Sequence, residues 1–444
     1  MKHFTLGVAV ALVATGCQTS STSSNLEFFE LPAPSIADGN KLPDEVHGIT
    51  GNDDEWVQAY RGSLNSNGDI IAAKALYNAA LQQIQIVGAY PEPRLMIGGF
   101  AQPLETRNGP LQFKLGVQQK LPNHLRIDHK VSREQMNAKA AAAHVVDVQL
   151  QIRQQLVELW AQRIHTSNSI EILESQVSLL TDIHELVLAK FESGLTTQAQ
   201  VLRTNLATTK LRDQISKLET AALILNEKVS TLSHTDISGI DWQAQKYPLQ
   251  NIGALDYTSG YLRPKLMRLE FLMQAASQEI DIADSLSTPD LVIGLDYSMI
   301  GEQPGIAASG DDAIAVQLAF DIPFGNQPYE ALTQSAKQKW QSKKWQAQQE
   351  QRKSDSVLNN SVRLLEDALR RSALYQDQFL PTADHALTAT LQSYQAGQAS
   401  LQDVLDASSQ ILNYRLQLEH SLADSCKARA AIAGQILIQG NQND

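Results

Sequence analysis

The sequence has few cysteines, few aromatic residues and few charged residues for a chain of 444 residues. Its two cysteines, Cys17 and Cys426, are too few for a disulfide framework or a cysteine-rich metal site. No uninterrupted apolar run reaches the ~18–20 residues of a membrane-crossing helix, which excludes an inner-membrane transporter. Hydrophobic residues nevertheless make up 43% of the chain, which is enough for large folded cores and excludes a disordered protein.

Signals of nucleic-acid binding, metal binding and catalysis are also missing. Acidic residues outnumber basic residues by 48 to 36 and no basic stripe is present, which argues against a nucleic-acid partner. None of the ten histidines forms a helical zinc pair with another, and the six methionines are scattered. No nucleophile elbow, phosphate-binding loop or dinucleotide fingerprint occurs. The sequence therefore predicts a protein that is not an enzyme and holds no metal or cofactor.

The N-terminus carries a targeting signal. Lys2 supplies a positive charge, Phe4 to Ala14 is a short apolar run, and small residues precede Cys17. This order predicts a secretory signal peptide over residues 1–16. The cysteine after small residues resembles the lipobox of bacterial lipoproteins, which implies that Cys17 is lipidated and begins the mature chain. The alternative is a plain signal peptide with an incidental cysteine. Because Gln18 follows instead of Asp, the resemblance implies anchoring in outer-membrane lipid.

The rest of the chain is a tandem duplication. Lys74–Pro93 aligns with Glu270–Pro289, and Phe191–Leu202 aligns with Tyr394–Leu405, both at an offset of about 200 residues. A connector containing five glycines and prolines separates the copies and predicts irregular structure. The predicted organisation is a lipid-anchored segment 17–68, a first repeat 69–232, a connector 233–268, a second repeat 269–438 and a polar tail 439–444.

Each repeat is predicted to contain a β-hairpin. Apolar and polar residues alternate in Leu111–Gln118, in Leu291–Ser298 and in Ile314–Ile322. Leu95–Gln102 is the predicted partner of the first strand, across a loop containing glycine and proline. Strands of about nine to eleven residues have the length of membrane-crossing β-strands. The alternative is a hairpin packed on a soluble domain, which shows the same alternation.

Helices of unusual length accompany the hairpins. From about Asn123 to Ser193 the chain contains neither proline nor glycine, and a helix of that length is roughly 100 Å long. Alternating spacings of four and three residues predict coiled-coil seams on this helix and the next. The seam residues are Leu173, Val177, Leu180, His184, Val187 and Phe191, then Leu211, Ile215, Leu218, Ala222, Leu225, Val229 and Leu232.

The sequence also predicts where the chain turns between the helices. A glycine in the left-handed conformation ends many helices, and a Ser or Thr followed three residues later by an acidic or amide residue starts them. The pattern occurs once per repeat, as Gly194 then Thr197 with Gln200, and as Gly397 then Ser400 with Asp403. Each repeat is therefore predicted to carry a strand hairpin at one end and a helical hairpin at the other.

The segment Ser393 to Ala407 (SYQAGQASLQDVLDA), with the duplicated helix–strand–strand–helix–helix order, resembles the TolC family of outer membrane efflux proteins. The resemblance covers Asp69 to Ile438 and implies a homotrimer. In the implied homotrimer, a twelve-stranded outer-membrane β-barrel continues into a long α-helical periplasmic barrel. Four strands cannot close a barrel in lipid, whereas three chains supply twelve. The predicted fold class is mainly α with membrane β, built from a tandem-duplicated unit.

The resemblance implies an export duct for small molecules or metal ions. Its implied partners are a periplasmic adaptor, docked at Gly194, Thr197, Gly397 and Ser400, and an inner-membrane pump of the RND type. One alternative is the exit duct of a type I protein-secretion system. A second, of a different class, is a lipid-anchored coiled-coil tether that forms no pore.

Two carboxylates near the second turn are candidate gate residues. Asp403 and Asp406 share one helix face, and the resemblance implies that they line the periplasmic entrance. Six such carboxylates in a trimer would favour cations. Arg203 stands at the position equivalent to Asp406 and is a candidate partner for an aspartate of a neighbouring helix. The alternative is that Asp403 only caps its helix and Asp406 is solvated. Elsewhere, Cys426 is predicted to be a buried small hydrophobe, and Trp340 and Trp345 to be packing residues.

Overall fold

The computed structural model describes residues 55–249, 263–303, 305, 310–323, 325 and 327–435. The predicted signal peptide, Cys17 with its flanking segment up to residue 54, and the polar tail lie outside the described residues. Among the helices in these ranges, none combines the length and the apolar character needed to span a lipid bilayer.

The first half of the chain places a strand hairpin between helices. Asn123 caps the long helix with its side-chain oxygen, which accepts from the amide of Leu125 at 3.0 Å. The long helix has 69 residues and is therefore about 100 Å long, close to the predicted bounds. In chain order the elements are α1 Glu55–Ser66, α2 Gly68–Gly88, β1 Arg94–Thr106, β2 Gly109–Leu121, α3 His124–Glu192 and α4 Gln198–Ser233.

The second half repeats this order from α2 onward. Its elements are α5 Pro264–Ser285, β3 Asp290–Ile300, β4 Ala313–Asp321, α6 Gln327–Leu374, a π-helical turn Tyr375–Phe379, α7 Leu380–Gln395 and α8 Leu401–Gln435. Helix α6, the π-helical turn and α7 run without a break and correspond to the single helix α3 of the first half. Pro381 has no amide hydrogen, and the preceding amide, that of Leu380, reaches back five residues to the carbonyl of Tyr375. The widened turn is packed by Phe379, whose ring stacks on Tyr414 at 5.1 Å between centroids.

The four strands form one antiparallel sheet in the order β1-β2-β3-β4. Its register places Leu95, Val117, Leu295 and Val316 opposite one another, a row of four apolar side chains on one face. The next row on the other face is Met96, Gly116, Asp296 and Ala315. The predicted alternation is therefore present, and it separates an apolar from a more polar face across all four strands.

The first hairpin differs from the prediction. Gly109 and Pro110, expected in the loop, begin β2, and only Arg107 and Asn108 connect the strands. Strands β1 and β2 each have 13 residues, longer than the nine to eleven predicted, whereas β3 has 11 and β4 has 9. Proline is tolerated here because it stands at the beginning of the strand, where a missing ladder bond costs little.

The predicted seams form the core between the helices. Leu173, Leu180 and Val187 of α3 are buried in a cluster with Leu211 of α4, whereas Phe191 at the end of the seam is 40% exposed. In α4 the whole predicted seam is buried or half-buried. The seam prediction is thus confirmed except at Phe191.

The described part of the connector packs against α3 and α8. Trp242 lies 4.7 Å from Trp160 between ring centroids, and the carbonyl of Pro248 accepts from the Cys426 thiol at 3.3 Å. Cys426 is completely buried, so the prediction of a buried cysteine is confirmed, and burial raises its pKa to about 12. The prediction of irregular structure up to residue 268 is wrong at its end, because Pro264 begins helix α5.

One packing prediction is wrong within the chain. Trp340 is half-buried beneath the ammonium of Lys344, 5.2 Å from its ring centroid. Trp345, by contrast, is 65% exposed. It lies on the side of α6 that turns away from the buried Ala336 and Ala347.

Candidate functional site: the paired helical tips

The first helical tip is built on a glycine in the left-handed conformation. Gly194 has φ of +72°, and its amide donates to the carbonyl of Phe191 at 2.9 Å. The following amide, that of Leu195, donates to Lys190 at 2.8 Å. These two bonds satisfy carbonyls that a helix end otherwise leaves free and turn the chain sharply after α3. The predicted role of Gly194 in ending the helix therefore matches the geometry.

The second tip has the same backbone. Gly397 has φ of +78°, its amide donates to Tyr394 at 3.1 Å, and the amide of Gln398 donates to Ser393 at 2.8 Å. A Cβ added at Gly194 or Gly397 would meet nothing within 4 Å. Glycine is therefore required at both tips by backbone conformation alone.

The helix starts after the two glycines differ. Ser400 and Asp403 form the predicted capping box, because the Ser400 amide donates to the Asp403 carboxylate at 2.9 Å and the Asp403 amide donates to the Ser400 hydroxyl at 3.2 Å. At the first tip Thr197 occupies the cap position but makes no side-chain capping bond. Instead the hydroxyl of Thr196 donates to the Gln200 amide oxygen at 2.6 Å. The capping box predicted for Thr197 with Gln200 is therefore wrong.

The two tips are fastened to each other. The Lys190 ammonium donates to the carbonyl of Tyr394 and lies 3.9 Å from the centroid of the Tyr394 ring. Tyr394 is 5% exposed and packs in the same buried cluster as Val187, Leu401 and Val404. Lys190 is thus a positive charge at the carboxyl end of α7, where the helix dipole favours one. It was not recognised from the sequence, since the contact joins residues 204 positions apart.

The two candidate gate carboxylates are both exposed near the second tip. Asp403 accepts from Ser400, whose hydroxyl and amide hold the pKa of that carboxyl below its usual range. Asp406 accepts from the Gln402 side chain at 2.9 Å. Arg203 is exposed on α4 and forms no ion pair with either aspartate in the part of the chain that is described. Val404, between the two aspartates in sequence, is completely buried, so α8 is oriented with Asp403 and Asp406 on its exposed side.

A buried ion pair ties the helices to the sheet at the other end of α3. Arg126 Nη1 lies 2.9 and 3.0 Å from the two carboxylate oxygens of Asp290, and Nη2 donates to the carbonyls of Ser285 and Thr288. Lys120 adds a second cation 3.2 Å from Asp290. The beginning of α3, the end of α5 and the beginning of β3 are thereby held at one point, so the sheet and the helices form one continuous unit.

Comparison with known proteins agrees with this architecture. The sequence model of the outer membrane efflux protein family matches residues 59–233 and 261–434. A search of curated proteins found no significant match.

Among solved structures, the chain is similar to VceC of Vibrio cholerae, with 18% identity, 86% of this chain and 97% of VceC covered, and a TM-score of 0.70. It is similar to CusC at 17% identity, with 91% and 96% covered and a TM-score of 0.75. It is also similar to the open state of the Neisseria gonorrhoeae MtrE outer membrane channel at 13% identity, with 87% and 89% covered and a TM-score of 0.70. The fold is that of these tandem-repeat channels, and the family model covers most of the chain. The chain belongs to the outer membrane efflux protein family.

Proposed function

We propose that three copies of this chain assemble into a closed outer-membrane duct. The observation that carries the proposal is the sheet, which has one apolar face and whose outer strands β1 and β4 pair with no other described strand. Unpaired backbone groups cannot face hydrocarbon, because each costs several kcal/mol there. Joining β4 of one copy to β1 of the next removes every free edge and gives a barrel of twelve strands.

The exposed apolar side chains support the same arrangement. On β4, Ile314, Val316 and Phe320 are each more than half exposed and point to one face of the sheet. On α4, Leu202 and Leu206 are similarly exposed. The first set suits contact with lipid, and the second suits contact with a helix of the next copy, since a helix on the edge of a bundle otherwise leaves an apolar stripe in water.

The proposed role of this duct is the export of small molecules or metal ions from the periplasm. A periplasmic adaptor would dock at the tips around Gly194 and Gly397, and an inner-membrane pump of the RND type would supply the energy. The family description favours efflux over protein secretion. The apolar face of the sheet argues against a tether without a pore, because a tether has no use for a membrane-length sheet.

The tip carboxylates are proposed to form the entrance. Three copies would bring six carboxylates, from Asp403 and Asp406, to one end of the helical barrel. Both side chains are exposed, and Asp403 is kept ionised by its capping bonds, so the ring would attract cations and repel anions. Arg203 is proposed to meet one of these aspartates across the contact between copies.

Lipid attachment at Cys17 is proposed as a second anchor. Replacing Cys17 by Ser should abolish metabolic labelling with a radioactive fatty acid. Trimers should persist in the membrane fraction, because the barrel itself holds the protein there. Labelling that persists in the serine variant would refute the assignment.

The duct is tested by conductance. The full-length protein, purified in mild detergent, is added to a planar bilayer, and the same preparation is crosslinked. We expect discrete cation-preferring conductance steps and a crosslinked species of three chains. Monomers or dimers alone, or a bilayer without steps, would refute the proposal and favour the tether.

A further inference from the structure

Two histidines meet where α3 packs against α8. The rings of His165 on α3 and His420 on α8 lie 5.8 Å apart between centroids, with their planes inclined at 51°. Both helices are flanked by other helices of their own chain, since α3 also packs on α2, α4 and α5, and α8 also packs on α6 and α7. The contact therefore lies inside the helical packing of one chain and not at an edge that a second copy would cover.

The surroundings of His165 favour its neutral imidazole. Its Nδ1 atom is buried and has no hydrogen-bond partner among the residues that the structure describes. The neutral ring can leave that atom without a proton, whereas the charged ring carries a donor there. Burial lowers the pKa of His165, and the charges of His420 and Lys427 lower it further, against the opposing effects of Asp424 and of a hydrogen bond to the Glu419 backbone.

The carboxylate beside His420 is already shared. Asp424 accepts from the guanidinium of Arg371 on α6 at 3.0 Å, and Arg371 also pairs with Asp367 of its own helix. Nε2 of His420 lies 3.6 Å from the same oxygen of Asp424. A protonated His420 would pair with that oxygen, and a full positive charge would then face the ring of His165.

The second nearby carboxylate is also engaged. One oxygen of Glu419 accepts from the hydroxyl of Tyr247 in the connector at 3.1 Å and from the amide of Asn168 on α3 at 2.9 Å. Residues 419–424 of α8 thus contact α3, α6 and the connector within about two turns of helix. A shift at the histidine pair would therefore change how α8 packs on three other elements.

We propose that the pair of His165 and His420 is an acid-sensitive contact, which holds α3 on α8 while both rings are neutral and loosens when both are protonated. Two positive charges at this separation repel each other. The stabilisation from neutral His165 is complete above the ordinary histidine pKa of about 6.5 and is lost as the pH falls below it, because the opened state then binds the proton more readily. The proposal does not rest on the duct, since the pair belongs to the fold of one chain and its test involves no transport.

The test is hydrogen–deuterium exchange of the full-length protein in detergent, measured by mass spectrometry at about pH 7.5 and about pH 5.5. Exchange times are scaled for the pH dependence of the intrinsic rate. Protection of peptides covering residues 160–172 and 414–428 should fall by about tenfold or more at the lower pH, since one proton taken up on opening changes the equilibrium by that factor per pH unit.

Matched variants separate the pair from general effects of acid. His165→Gln with His420→Gln removes both titrating groups, so protection of the two peptides should be the same at both pH values. His420→Gln alone removes the repelling charge and should give a smaller acid response than the wild type; it carries the test if the double variant is loosened at both pH values. The control His385→Gln removes an exposed histidine of α7 and should keep the full response.

Three results would overturn the proposal. The first is unchanged protection of the wild-type peptides in acid. The second is an undiminished acid response in His420→Gln or in the double variant. The third is a loss in His385→Gln equal to that in His420→Gln.

Discussion

Replacing Arg126 by methionine tests whether the buried pair with Asp290 joins the sheet to the helices. Arg126 is 6% exposed and Asp290 is 8% exposed, and the guanidinium makes two bonds to the carboxylate and two to backbone carbonyls. Breaking a buried pair typically costs about 3–5 kcal/mol, because a buried charge loses its partner. Lys120, 3.2 Å from Asp290, still compensates part of the charge. We therefore expect a loss at the lower end, about 3 kcal/mol.

The assay is thermal unfolding of the purified protein in detergent, followed by circular dichroism at a fixed scan rate. Arg126→Met should lower the midpoint by about 3 °C. The control is Arg370→Met, which breaks an exposed pair with Asp367 and should lower the midpoint much less. Adding Asp290→Asn to Arg126→Met removes the stranded charge and should recover part of the loss. If Arg126→Met unfolds no earlier than Arg370→Met, the junction is not held by this pair.

Three further predictions concern the tips and the buried thiol. Gly397→Val forces a β-branched residue into φ of +78°, at a cost of about 1–2 kcal/mol or more. Because the strain is confined to the tip, trimers and membrane insertion should be normal, whereas export in cells should be lost. Gly397→Ala should have a milder effect, and normal export by the valine variant would exclude the docking role. Asp403→Ala with Asp406→Ala should reduce the preference for cations in bilayer reversal-potential measurements. Unchanged ion selectivity would refute the gate assignment and leave Asp403 as a helix cap and Asp406 as a surface residue. Because burial raises the pKa of Cys426 to about 12, a maleimide at about pH 8 should label it only after unfolding; rapid labelling of the native protein would contradict its burial.

The elements that sequence could place are those fixed by local chemistry. The bounds of α3 follow from the stretch between Asn123 and Ser193, which contains neither proline nor glycine, and from Gly194, whose positive φ ends the helix. The misplaced boundaries involve proline. The sequence around Pro110 and Pro264 predicts irregular structure, but Pro110 lies at the beginning of a strand and Pro264 begins a helix. Proline is acceptable at both positions because the first amides of an element have few ladder partners to lose.

The contacts that sequence could not place join distant parts of the chain. Arg126 meets Asp290 across 164 positions, and Lys190 meets Tyr394 across 204. Sequence periodicity relates residues only a few positions apart, so it cannot predict either pair. The capping box at Thr197 failed for a different reason. The neighbouring hydroxyl of Thr196 reaches the same glutamine, so two adjacent threonines compete for one partner.

The two tips show how duplication produced one backbone with two surfaces. Each glycine has a positive φ and each turn has the same pair of amide bonds, so the backbone of both tips is held by the same requirement. The side chains on the following helices are under no such requirement, and they differ in charge. Gln200 and Arg203 stand in the first repeat where Asp403 and Asp406 stand in the second. In the proposed trimer, six similar hairpins would therefore alternate between cationic and acidic surfaces. The backbone of the entrance would then be nearly six-fold symmetric, while its charge distribution would be only three-fold symmetric. A docking partner with a charged contact surface would therefore bind the two kinds of tip differently.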